Sequence, residues 1–202
     1  MRGLITVTLS TRNITKVFRQ ATYEDLEAGA TWYSDANAIA HELDPDDPRR
    51  GAAVLAVLSP QVSWPRNVQM AREVYATGTT RGLGANIAKA QRLIAGEDPE
   101  TVVKGLKVTA FWLSIVNPLD TRAVVIDRHA FDIAFGRVTD DETRDRYLRI
   151  KGNYAKVVTM YESAARILTR ERAQFGEVWT GTEVQAATWV AWRKTKAAAN
   201  HG

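Results

Sequence analysis

Asp127 is the residue best placed in this sequence to do chemistry. It ends a short apolar run, Ala123-Val124-Val125-Ile126, and opens a second apolar segment that closes at Gly136. A carboxylate at the mouth of a buried helix meets a row of unpaired backbone N–H groups and the positive end of the helix dipole. Two readings fit that placement. The carboxylate can cap the helix, or it can stabilise positive charge that develops on a substrate. Arg128 and His129 follow at once and put a cation and an imidazole beside it. In front of the run, Val108 to Val116 reads as an apolar helix and Asn117-Pro118 as the start of a loop.

The composition narrows the chemistry. With no cysteine, disulfides, thiolate metal sites and cysteine-held iron–sulfur clusters are excluded. His41, His129 and His201 are far apart and lack ligand spacing, so no metal and no cofactor is expected. The acids of Asp44-Pro45-Asp46-Asp47-Pro48 read as a solvated turn, because no glycine-containing calcium-loop pattern follows. The formal net charge is +4, and it gathers late: residues 142–202 carry 11 basic and 6 acidic groups. That excess suits a polyanionic partner, nucleic acid first, or else a solvated lysine-rich surface. No apolar stretch is long enough to span a membrane. The opening MRGLITVTLS reads as an irregular arm rather than a signal peptide. A cytoplasmic location is the expectation.

The periodicity predicts an all-α chain of about eight to ten helices. Ile14 to Gln20 begins it. A second helix follows Thr22 as cap, with Glu24 and Asp25 in its first turn. Gly51 to Leu58 is apolar on almost every side, so it is buried. Trp64-Pro65 opens the next helix and Asp98-Pro99 a short one, each with proline in the first turn. Ala85 to Ala95 is amphipathic. Asp140 or Asp141 caps a basic segment, and a long helix runs from Tyr154 to Ala173. The last helix starts at Thr182, where Thr182 and Gln185 fit the capping-box spacing.

Three pieces in order resemble a known superfamily. They are Leu58-Ser59-Pro60-Gln61, then Lys104-Gly105-Leu106-Lys107-Val108-Thr109-Ala110, then Val125-Ile126-Asp127-Arg128-His129. Together they resemble the helix-hairpin-helix DNA glycosylases, the endonuclease III-like group, in a divergent form without the cluster cysteines. The chain's ending also resembles small bacteriophage-encoded proteins. The resemblance implies a single glycosylase-like domain over 1–202, with residues 51–137 as the hairpin-containing half and residues 1–50 and 138–202 as the packing half. It implies that Asp127 stabilises an oxocarbenium-like sugar or activates the nucleophile, and that Gln61 fills the gap left by a flipped base. It places Lys104 and Gly105 at the DNA-contacting hairpin, Arg128 at a phosphate, His129 behind Asp127 and Trp64 near the base. Aligning Thr109-Ala110 puts Val108 at the family's lysine position, about 100° around the helix from Lys107. Either Lys107 still reaches as a nucleophile, or it contacts phosphate and the enzyme is monofunctional, which is the expectation. The partner implied is double-stranded DNA. The alternative is a catalytically inert DNA- or protein-binding module on the same fold.

Overall fold

The computed structural model describes residues 8–119 and 123–199, with side chains described as far as Thr195. The part of the N-terminal arm before residue 8, and His201, lie outside the described residues. The helices are α1 (Thr11–Gln20), α2 (Tyr23–Leu43), α3 (Pro48–Leu58), α4 (Trp64–Thr77), α5 (Gly84–Ile94), α6 (Pro99–Val102), α7 (Leu106–Val116), α8 (Arg128–Phe135), α9 (Asp141–Arg149), α10 (Asn153–Arg172) and α11 (Gly181–Ala199). The described residues contain no strand, and the fold is all-α. None of these helices is long and apolar enough to cross a membrane.

Local sequence explains most helix starts. Ser10 caps α1 through Arg12 N–H, and Asp47 caps α3 through Arg50 N–H with Pro48 in the first turn. Thr22 and Asp25 cap α2 reciprocally: Asp25 N–H donates to Thr22 Oγ1 and Thr22 N–H to Asp25 Oδ2. Asp98 caps α6 and Asp140 caps α9. The last helix corrects the expectation. Its capping box is Thr180 with Glu183, each side chain accepting from the other's N–H at 3.2 and 2.9 Å. Thr182 and Gln185 instead turn inward and are buried. Of the acids after α2, Asp44 is buried and accepts from Arg50 and from Tyr75 Oη, while Asp46 is exposed.

The chain forms two compact units, one made of the residues up to Thr31 and from Val124 onward, the other of Trp32–Ala123. The second unit starts and ends earlier than the hairpin-containing half expected at 51–137. Its centre is α3, whose residues Gly51 to Leu58 are all buried and which packs on α4, α5, α6 and α7. An all-apolar helix surrounded by neighbours is what such a sequence requires. In the first unit, α8 takes the corresponding place against α1, α10 and α11. Its Ala130, Phe131, Ile133 and Ala134 join Ile14, Phe18, Val157, Tyr161, Leu168, Val184 and Ala187 in one core.

Helix α11 comes close to the start of α2 only because Gly29 has no side chain. A Cβ there would lie 2.2 Å from Ala187 Cα. Gly29→Ala should therefore lose about 2 kcal/mol net in a denaturant titration. That is about 3 kcal/mol of overpacking set against about 1 kcal/mol of gained helix propensity.

Candidate functional site

Asp127 sits where the apolar run Ala123–Ile126 meets α8. Two tyrosines fix that junction. Tyr154 Oη donates to Val124 O and accepts from Ile126 N–H at 3.0 Å. Tyr161 Oη donates to Ala130 O from within the core. Burial first, and the Asp127 charge in addition, push the Tyr154 hydroxyl up to about 12, against the opposite pull of Ile126 N–H. Burial likewise raises Tyr161. Both stay neutral hydrogen-bonding struts at physiological pH.

The Asp127 carboxylate is half-buried and held through both oxygens. Oδ1 accepts from Ala130 N–H at 2.8 Å, the cap bond. Oδ2 accepts from Trp189 Nε1–H at 3.0 Å, across 62 residues of chain. The Trp189 ring meets His129 edge-on at 6.2 Å. Arg193, one turn along α11, places its guanidinium 4.6 Å from the Trp189 ring centroid. On the other side, exposed Arg128 donates through Nε to His129 Nε2 at 3.4 Å. The result is a carboxylate held in direction by a backbone N–H and an indole, with His129 and Arg193 packed against that indole.

The other expected residues belong to the second unit. Gln61 is exposed at the third position of the turn Ser59–Val62, closed by Val62 N–H donating to Ser59 O, with Pro60 before it. Its φ is 66°, the left-handed region where glycine is the usual occupant. A side chain there costs about 1–2 kcal/mol. Trp64, expected beside a base, packs half-buried on Trp32 at 5.0 Å and on Phe111 at 6.3 Å between centroids. Lys107 lies one turn before Phe111, on the same face of α7. Trp64 at the start of α4 and Phe111 in α7 thus share an aromatic cluster with Trp32.

The hairpin is short. Its first arm, α6, is a single turn, and Lys104 Nζ donates to Glu100 O at the end of that turn. Gly105 is the N-cap of α7 with φ 92° and ψ 137°, a conformation that needs glycine, and no side chain caps α7. Exposed Leu106 and then Lys107 follow Gly105, so the hairpin has one glycine.

A family model covers residues 2–196. The chain belongs to DUF7178, a family of unknown function. No curated protein and no solved structure matches it. In this DUF7178 protein the sequence reading selected Trp64 among the tryptophans and passed over Trp189. Nothing local to α11 marks Trp189, because its partner is brought to it by the packing of α8 on α11. Arg193 escaped notice for the same reason. Trp112, by contrast, is structural: its Nε1–H donates to Arg49 O, and the Arg49 guanidinium lies over its ring.

Two measurements test this geometry. A tyrosine whose folded pKa is raised contributes stability that is complete below its unfolded value, about 10, and is lost as pH climbs through the folded value. Thermal melts should therefore fall in midpoint between about pH 10 and about pH 12, and Tyr154→Phe should lose less over that window while starting from a lower midpoint at neutral pH. In the second unit, Gln61→Gly should exceed Gln61→Ala in unfolding free energy by about 1 kcal/mol, because alanine retains the left-handed strain and glycine removes it.

Proposed function

We propose that this protein acts on DNA as a monofunctional glycosylase, with Asp127 as the carboxylate that faces the sugar. In that reaction the bond from C1′ to the base nitrogen breaks, and the bonding pair leaves with the base. Positive charge builds on the sugar ring, water adds to C1′, and its proton passes to the departing base. The observation that carries the reading is the double restraint on Asp127: Ala130 N–H holds one oxygen and Trp189 Nε1–H the other. A plain cap needs one oxygen and one backbone N–H. A second donor recruited from a distant helix fixes the carboxylate's direction, which is what electrostatic stabilisation of a transient cation demands. At about 4 Å and an effective dielectric of about 20, a unit charge pair is worth about 4 kcal/mol, or about a thousandfold in rate.

The left-handed Gln61 supports the same reading, since strained exposed residues concentrate at functional positions. The single-turn α6 and a hairpin with one glycine favour the second reading, a DNA- or protein-binding module without catalysis.

Purified protein incubated with duplexes carrying damaged or modified bases should release free base. Asp127→Asn keeps an equally good cap residue, so the fold should persist while base release falls by about a thousandfold. Release by Asp127→Asn at the wild-type rate would overturn the proposal. No release from any such duplex by the folded wild-type protein would leave the binding reading in its place.

A further inference from the structure

We infer that Lys194 and Asp25 form a latch that fixes the rotation of α11 and so aims Trp189 at Asp127. This rests on the reading of Asp127 as the carboxylate that faces the sugar, and it adds two positioning residues that reach Asp127 only through another helix. Asp25 stands in the first turn of α2 with its side chain 6% exposed, against 62% for Lys194. Its Oδ2 accepts from Thr22 N–H at 3.1 Å, and its Oδ1 accepts from Lys194 Nζ across 169 residues of chain. One turn further along α2, Gly29 meets Ala187 of the same α11. The last helix thus touches α2 at both Ala187 and Lys194.

Ala187 and Lys194 are about two turns apart and about 20° from one line along the helix. They share the face of α11 that meets α2. Trp189, two residues past Ala187, lies about 200° round, on the opposite face. There its Nε1–H donates to Asp127 Oδ2. Along the helix axis the indole stands between the two α2 contacts, so the rotation they set is the rotation that points it. The Ala187 contact is apolar and has no preferred direction. The Lys194 contact is a charge-assisted hydrogen bond to a buried carboxylate, and it has one. Burial alone would raise Asp25, but the bonds from Lys194 and Thr22 outweigh it and hold the carboxyl below its ordinary range. Without the ammonium, Asp25 is a buried charge short of a donor. Nothing directional then holds this end of α11 to α2, and the helix turns on the Ala187 contact, carrying Trp189 off Asp127.

The test is read on the Trp189 indole N–H signal in protein carrying isotope-labelled tryptophan, and on base release from duplexes with damaged or modified bases. Trp189→Phe identifies the signal by removing it. Lys194→Met keeps the apolar length of the side chain and removes the charge. It should move the signal away from its carboxylate-bonded position and slow base release by about tenfold to about a hundredfold, with KM unchanged. Lys194→Arg should restore both. Thr22→Ala removes the Oγ1 acceptor of the α2 cap and leaves Lys194 in place, so it should lower the melting midpoint and change neither. A wild-type signal in Lys194→Met would overturn the latch, and so would undiminished release by that variant. An equal change in Thr22→Ala would overturn it too. A moved signal without base release by the wild-type protein would keep the latch and reject the glycosylase reading. Wild-type base release with the signal unmoved would do the reverse.

Discussion

The hydrogen bond from Trp189 Nε1–H to Asp127 Oδ2 is the constraint on which the site depends. It joins the first turn of a buried eight-residue helix to a helix that begins more than forty residues later. Everything that sets its length is packing. Tyr154 and Tyr161 fix the backbone on either side of Asp127. The absence of a side chain at Gly29 lets Ala187, two residues before Trp189, approach α2. Buried Thr182 and Gln185 set how far α11 turns before Trp189 is reached. A displacement of an ångström in any of these would lengthen a 3.0 Å bond beyond the range in which it is worth much.

Each unit is built on one short helix whose body is buried, Gly51 to Leu58 in α3 and Ala130 to Ala134 in α8. In the second unit α3 is apolar on all sides and needs no orientation. Asn67 Nδ2 donates to its Leu55 carbonyl, and Arg50 at its start is engaged by Asp44. Burial alone would raise Asp44, but the hydrogen bonds from Arg50 and Tyr75 outweigh it and hold the carboxyl below its ordinary range. In the first unit α8 is buried from Ala130 to Ala134. It packs on α1, α10 and α11 and leaves half-buried Asp127 and exposed Arg128 at its start. The same helix therefore serves as core and as platform. Its charged end gains from the helix dipole while its apolar body gains from burial.

What the sequence made legible is local. The caps at Thr22, Asp98 and Asp140 follow from residue type and spacing, and so does the cap at Asp127. The buried character of α3 follows from an unbroken apolar run. The capping box of α11 was misplaced because Thr180-Gly-Thr182-Glu183-Val-Gln185 contains two overlapping threonine-x-x-Glu/Gln patterns. Which one caps is decided by which threonine the core removes from solvent, and that is a tertiary fact. Trp189 and Arg193 were illegible for the same reason, since their partners lie across the core. Gln61 was selected from a motif, yet its left-handed backbone comes from closing a Pro60 turn between two helices, which no residue type announces.

The central claim is that Trp189 holds Asp127 through a bond to its charged carboxylate. A double-mutant cycle of Asp127→Asn and Trp189→Phe, read by denaturant unfolding at neutral pH, tests it directly. The bond predicts a coupling of about 1.5–3 kcal/mol between the two changes. Additivity within about 0.5 kcal/mol would contradict it.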